Sequence, residues 1–385
     1  MNQHEAIDRT VASGPADWNS ATFVIQGRLV RVRGQNILFS PSRQAIFAVN
    51  DTAADIWLSL EEGMPPQAIS VEMARSGVDR FEANRHVEAA LGDWQRLNLI
   101  RACAPLSTSS TQKPVSQVVA VAGLNIRIVY PAACAFPAIT VFRHLEVQRE
   151  TADVLLEVGH SGRVHLLRDG EWVWSCSLDE LPVMLKGQLL TEVLDHGAYE
   201  LALHAAALFR NERMVLLCGN PGAGKTTLTL ALIHAGFGFA ADDVTLLDPG
   251  GHGIGLPFAP AVKVGAWSLL ADYCPDLDAA PVCRRPDRRR VRFAVPKAFV
   301  PLPLAPLPIG CVVLLRRGRD SKACLEPVDP ANALRGLLNG ALAPGGELSG
   351  TAFEALTQLI GSTETYCLTY SRLDDAVQLI SKACR

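Results

Sequence analysis

Eight consecutive residues carry the plainest chemistry in this chain. Positions 219–226 read GNPGAGKT, which fits Gly-x-x-x-x-Gly-Lys-[Ser/Thr] in full. Glycines at 219, 222 and 224 let the backbone curl so that its N–H groups point inward at phosphate oxygens. A helix starting at Lys225 adds the positive end of its dipole. In such a loop Gly219, Asn220, Pro221, Gly222, Ala223 and Gly224, with Thr227 just beyond, surround the phosphates of ATP. Lys225 reaches the β- and γ-phosphates, and Thr226 holds Mg²⁺. The glycine spacing is not Gly-x-Gly-x-x-Gly, so it does not support a dinucleotide fingerprint. Asp242 and Asp243 then close the next apolar strand, 237–241. One acid at such a strand end is the usual metal-side acid of a nucleotide site. Two adjacent acids have diverging side chains, so one can face Mg²⁺ and the other an attacking hydroxyl. The plainer alternative is a solvated acidic loop, or a metal acid followed by a helix cap.

The loop needs a strand before it and a helix after it. Residues 213–218 have a buried-strand pattern and 225–235 a helical one. Leu203 to Phe209 reads as a further strand, and Ile309 to Leu315 as another. That last strand ends an uncharged run of 18 residues from Ala298. Pro301, Pro303, Pro306 and Pro308 interrupt the run, so no continuous helix crosses a membrane there. Upstream, Val154–Val158 and Arg163–Leu167 alternate as strands, with a hairpin turn at Asp169-Gly170, and a helix covers about 178–195.

A Ser-, Thr- and Pro-rich stretch, CAPLSTSSTQKPVSQ at 103–117, reads as a linker. It divides a flexible N-terminus (1–17) and a small domain (18–102) from an α/β ATP-binding domain (118–385). In the small domain, strands are expected over 23–32, 36–39 and 45–49, with Asn50-Asp51-Thr52 as a helix N-cap cluster. Ala53, Ile56, Trp57 and Leu60 face one way on the first helix, and Gly63 ends it. A second helix covers 68–76. A third covers 80–97, with Phe81, Val87, Leu91, Trp94 and Leu97 as its apolar side. Strands followed by three short helices suggest a small α+β, winged-helix-like module.

Composition excludes several classes. The 385 residues are 49% apolar and 19% charged, with a net charge of −3 and a mean hydropathy of +0.16. That is too apolar for a disordered chain and too evenly mixed for a membrane protein. Nothing global calls for nucleic acid or a membrane surface. The ten cysteines are scattered, with no Cys-x-x-Cys and no His pair at zinc spacing, as expected of thiols in a reducing cytoplasm. The first seventeen residues have no apolar core of a secretory signal. One charge feature stands out. RRPDRRRVR at 284–292 carries +5, which leaves −8 on the rest of the chain. It reads either as a solvated loop or as a clamp on phosphate or on an acidic substrate, with Arg288 or Arg290 as contacts. Interleaved aromatics that would favour nucleic acid are missing from it.

The C-terminal part resembles the HPr kinase/phosphorylase superfamily, well over 200–250 and loosely over 115–385. The matching parts are HAAALF from His204, the loop GNPGAGKT, its helix, and ADD at 241–243. The resemblance implies Asp242 as general base, Asp243 with Thr226 on the Mg²⁺ side, Lys225 as phosphate clamp and His204 as a supporting partner. That family's Glu-x-Arg-Gly loop has no counterpart here. The region reads GIGLPFAPAVKVG (253–265), with Lys263 its only charge. The N-terminal domain resembles the PqqD-like peptide-binding module of ribosomal peptide pathways, through FAVN at 47–50, the first-helix residues above and LNLI at 97–100. That resemblance implies a leader peptide added as an extra strand and resting on the third helix. A DNA-reading winged helix is disfavoured, because Arg80, Arg85 and Arg96 are balanced by Asp79, Glu82, Glu88 and Asp93.

The combined expectation is a cytoplasmic kinase that transfers the γ-phosphate of ATP to a Ser or Thr of a captured precursor peptide. No membrane or nucleic-acid partner is implied, and self-association is left open. A P-loop ATPase that drives peptide transport or remodelling, and a non-catalytic peptide chaperone, are the alternatives. The first lacks a Leu-Ser-Gly-Gly-Gln signature, since Glu347–Thr351 reads ELSGT.

Overall fold

A computed structural model describes residues 22–103, 113–161, 163–197, 199–295, 306–318, 322–343 and 347–384. The expected flexible N-terminus, most of the 103–117 linker and the start of the proline-rich run lie outside the described residues. The chain divides into two compact units. The first takes the described residues up to 103 together with Glu157–Ser175. The second takes those from 113 to Leu156 and from Cys176 onward.

In the first unit, β1 (Thr22–Ile25) and β2 (Arg28–Val32) replace the single strand expected over 23–32. The break falls at Gln26 and Gly27, whose backbone amides both donate to the Leu99 carbonyl at 2.9 Å. Only glycine fits at 27, because a Cβ would lie 2.6 Å from Leu99 and 2.9 Å from Trp57. Strand β2 joins β3 (Gln35–Ser40) and β4 (Ala45–Val49) in an antiparallel sheet. Helix α1 (Asp51–Glu61) starts as the sequence expects, with the Asn50 side chain accepting from the Ala53 amide at 2.8 Å. Helices α2 (Pro66–Arg75) and α3 (Arg80–Arg96) follow, and β5 (Ile100–Cys103) pairs with β1. Leu38, Ile56, Ile69, Val87 and Leu91 surround Trp57 and Trp94, which meet edge to face at 5.1 Å between ring centres. One expected core residue is misplaced. Phe81 is 79% exposed, because the buried stripe of α3 runs through Ala83, Val87, Leu91 and Trp94. Phe81 stands six residues before Val87, off that 3.6-residue repeat.

A hairpin of β6 (Val115–Val121) and β7 (Leu124–Tyr130) opens the second unit and leads to α4 (Ala132–Phe142). Strands β8 (Val154–Ser161), β9 (Arg163–Arg168) and β10 (Glu171–Cys176) follow, with Asp169 and Gly170 both at positive φ in the expected turn. The sequence reading runs the C-terminal domain through all of 118–385. In the structure Glu157–Ser175 goes with the first unit, where Arg101 pairs with Glu171 at 2.6 Å.

Helix α5 (Leu181–His196) returns the chain to the second unit. The strand expected over 203–209 is two strands, β11 (Leu201–Leu203) and β12 (Ala205–Arg210). They part at His204, whose backbone amide donates to the Gly340 carbonyl at 2.7 Å. Then come β13 (Arg213–Cys218), α6 (Lys225–His234) and β14 (Gly238–Ala241). Next are the short strands β15 (Thr245–Leu247), β16 (Gly253–Gly255), β17 (Ala261–Lys263), β18 (Cys283–Arg284) and β19 (Arg290–Phe293). The chain closes with β20 (Ile309–Arg317), β21 (Cys324–Pro327), α7 (Pro330–Leu338), β22 (Ala341–Leu342), α8 (Gly350–Ser362), β23 (Glu364–Tyr370) and α9 (Leu373–Ala383).

The main sheet has the order β14-β12-β13-β20-β23-β21. Strands β13, β20 and β23 are parallel, while β12 runs against both β13 and β14. Successive strand residues bury on opposite faces. Leu216 and Val312 pack with Leu337 of α7 and Leu356 of α8. Leu217 and Val313 pack with Leu228 of α6 and Ile380 of α9. This topology gathers one set of strand ends on one edge. Ala205 pairs with Cys218, Cys218 with Leu314, and Ala207 with Ala241. The start of β12 therefore lies beside the ends of β13, β14 and β20. No described helix is long and apolar enough to cross a membrane.

Candidate active site at the glycine loop

The segment 219–224 leaves the end of β13 and enters α6 at that edge. Gly224 is the N-cap of α6, at φ 96°. A Cβ there would come within 2.6 Å of the Tyr370 hydroxyl, so both conformation and space demand glycine. Tyr370, at the end of β23, donates that hydroxyl to the Ala223 carbonyl at 3.3 Å and supports the loop from below. Lys225 is 7% exposed, and its Nζ donates to the Gly219 carbonyl across the loop at 2.7 Å. Burial pulls its pKa down, against the pull of Asp243, Cys218 and Asp242.

Asp242 and Asp243 follow β14 and diverge. Asp242 turns inward and is buried, and its Oδ2 accepts from the Thr226 hydroxyl at 3.3 Å. Its Oδ1 is buried with no hydrogen-bond partner. Burial, reinforced by the neighbouring Asp243 charge, pushes its pKa up to about 7. Asp243 turns toward α5, where Lys186 Nζ lies 2.9 Å from its Oδ2. The Lys186 charge holds the Asp243 carboxyl below its ordinary value. The Asp243 side chain remains 46% exposed, whereas that of Lys186 is 12% exposed and also donates to the Ala259 carbonyl. His204 sits at the strand break with its ring hydrogen-bonded to the Asp243 backbone. Burial, and then the Lys225 charge, keep the imidazole below its usual pKa.

The structure thus brings together Lys225, Thr226, Asp242, Asp243 and His204, as the sequence expects, but pairs them differently. The sequence reading sets Thr226 with Asp243. In the structure Thr226 meets Asp242, because the first residue past β14 points toward α6 and the second away from it. Lys263 ends β17 near enough for its charge to bear on Lys225. Arg288 and Arg290 are not among the residues lining the cavities at the loop. The arginine run is the β18–β19 hairpin, with Arg288 in its turn at φ 62° and Arg290 over the Trp267 ring at 6.0 Å. Arg284 pairs with Asp179, Arg285 and Arg289 with Asp287, and Arg292 with Asp278. Lys186 is the residue that sequence reasoning misses. Its one signal is a lone cation in the apolar helix LPVMLKGQLL.

Two cavities flank the loop. A cleft of about 900 Å³ is lined by Gly219–Ala223, His204 and residues of β20 and α7. A smaller one, about 410 Å³, is lined by Thr227, Arg317, Tyr370 and the start of α9. Among the described residues no group of three or more His, Cys, Asp or Glu side chains could hold a metal. A Mg²⁺ site of the nucleotide type needs fewer, since phosphates and waters fill most positions. The unpartnered Asp242 Oδ1 beside the Thr226 hydroxyl fits such an ion.

Residues 35–100 match the family described as coenzyme PQQ synthesis protein D (PqqD). No curated protein matches the chain. The matched segment runs from β3 to the first residue of β5, so β3, β4, the three helices and the Trp57–Trp94 core are PqqD-like, and β2 lies before the match.

Proposed function

We propose that this chain is an ATP-dependent kinase of HPr kinase-like fold that phosphorylates a Ser or Thr hydroxyl of a ribosomally made precursor peptide. The observation that carries the reading is the meeting of Lys225, Thr226 and Asp242, whose Oδ1 has no partner, at the glycine loop. The loop amides and Lys225 bind the phosphates of ATP. Thr226 and Asp242 would hold Mg²⁺, which when bound neutralises charge on the transferring group. Asp243 is the accessible acid, and Lys186 keeps it ionised. It therefore takes the base role that the family resemblance implies for Asp242. The acceptor oxygen forms its bond to the γ-phosphorus as the bond to the bridging oxygen breaks. The hydroxyl proton passes to Asp243, and ADP leaves.

The PqqD-like module supplies the peptide. A precursor's leader adds to an outer strand of its small sheet, where backbone pairing gives affinity. Both outer strands carry exposed apolar side chains, Val30 and Val32 on β2 and Ile46 on β4, and Phe81 is exposed at the start of α3. Capture raises the local concentration of the acceptor without any new contact at the reacting atoms.

The test is transfer of label from γ-labelled ATP with Mg²⁺ to precursor peptides encoded beside the protein. Wild type is expected to label the peptide. Asp243→Asn should lower turnover by about a hundredfold at saturating Mg²⁺, and Asp242→Asn should raise the Mg²⁺ requirement. Release of inorganic phosphate with no labelled peptide would instead identify an ATPase.

A further inference from the structure

The larger cleft has a charge that the loop chemistry does not use. Its walls present Arg316 and Arg317 from the end of β20 and Arg335 from α7, all three exposed. Among the described residues Asp329 is the one acidic residue lining it. That carboxylate is already engaged as the N-cap of α7, accepting from the Asn332 amide at 3.1 Å. Arg335 Nη1 donates to the Asn332 side chain. No described carboxylate pairs with Arg316, Arg317 or Arg335, whereas four arginines of the 284–292 hairpin have acidic partners. Beside the glycine loop, the arginines without a described carboxylate partner are therefore those of this cleft.

Its position assigns the ligand. The cleft is lined by the first residues of the loop, Gly219 to Ala223, and by His204. His204 is the residue whose ring bonds the Asp243 backbone. A chain lying in the cleft therefore ends beside the acid pair. Past Thr227 lies the smaller cavity, which shares Arg317 with the cleft.

Resting on the kinase reading above, we propose that this cleft binds the acceptor segment of the substrate, and that the segment is acidic, with Glu or Asp beside the reacting hydroxyl. Arg316, Arg317 and Arg335 select it by pairing with those carboxylates. Guanidinium suits this task, since its planar fork donates two parallel hydrogen bonds to one carboxylate. The specificity lies in the cleft rather than in the arginine-rich hairpin.

Two fluorescent serine peptides test this against the full chain with a non-hydrolysable ATP analogue, one with Glu flanking the serine and one with Gln. The Glu peptide is expected to bind about tenfold tighter at low salt, and to lose that margin as salt screens the pairs. Arg316→Gln and Arg335→Gln, each on an exposed side chain, should each remove most of the preference while leaving the affinity of a fluorescent ATP analogue unchanged. Equal binding of the two peptides, or a preference that survives both substitutions, overturns the proposal. So does loss of ATP-analogue binding in Arg335→Gln with the peptide preference intact, which would give the cleft to the nucleotide. Label transfer to the same peptides separates the two readings. Equal labelling of both keeps the kinase and removes the acidic cleft. A preference erased by the substitutions, with no label on either peptide, keeps the cleft and removes the kinase.

Discussion

Asp242 is a carboxyl with the Thr226 hydroxyl and the Ala261 backbone as donors, an Oδ1 without a partner and a second carboxyl for a neighbour. Its charged form is disfavoured by burial first and by Asp243 next, which raises its pKa from 3.8 to about 7. A carboxyl whose folded pKa lies above its unfolded value binds protons more tightly in the native state, so stability falls as pH rises between those values. Asp242→Asn removes the charge and keeps the shape. In metal-free protein the substitution should leave Tm unchanged near pH 4 and raise it by several degrees at pH 8, the scale of a ~1–2 kcal/mol change. A Tm difference that is flat with pH would show that Asp242 is not the buried titrating group. The adjacent acids were legible in the sequence because they close an apolar strand after a glycine loop. Which acid faces Thr226 was not, since that depends on how the chain leaves β14. Lys186 was hidden for another reason. It is 57 residues from its partner, and a lone lysine in an apolar helix usually keeps its charge in water.

At the scale of elements, the glycine loop is held from two directions. Helix α6 fixes its last residue, Gly224, and β23 supports the residue before it, Ala223, through the Tyr370 hydroxyl. The sequence made the strand, loop and helix plain, because apolar runs flank a fixed glycine pattern. It could not show Tyr370, which comes from a strand brought alongside only by the order β13-β20-β23. Similarly, one strand was read where β11 and β12 are two, since the Gly340 carbonyl that parts them at His204 is remote in sequence. These contacts make a double substitution informative. Gly224→Ala meets both a left-handed backbone and the Tyr370 hydroxyl at 2.6 Å, so ATP-analogue affinity should fall more than tenfold. Tyr370→Phe removes the hydroxyl, and Gly224→Ala/Tyr370→Phe should recover part of the loss. The remainder is the backbone strain, about 1–2 kcal/mol. A double variant no better than Gly224→Ala alone would mean that strain, rather than the clash, sets the loop.

On the scale of the whole molecule, two units with separate cores carry the two proposed tasks. The Trp57–Trp94 core lies in the first, and the two-faced core of the main sheet lies in the second. The linker composition placed the boundary near residue 110, but the return of Glu157–Ser175 to the first unit was invisible, because nothing local marks a segment's distant partners. This matters for any truncation. Removing residues 1–102 strips Glu157–Ser175 of the rest of its unit, so leader capture is better tested by point substitution than by deletion. It also yields a thermodynamic prediction. A ligand that binds only the native form of one unit stabilises that unit by mass action, about 2.7 kcal/mol at one hundred times its Kd. Calorimetry of the full chain should therefore resolve two transitions. ATP with Mg²⁺ should raise the Tm of the larger one by roughly 5–10 °C and leave the smaller in place. A leader peptide should raise only the smaller, and Phe81→Ala should weaken that shift without lowering the unliganded Tm, because Phe81 is not in the core. A single transition moved by both ligands would show that the two units unfold as one, and that capture and chemistry are coupled through the fold rather than joined by proximity alone.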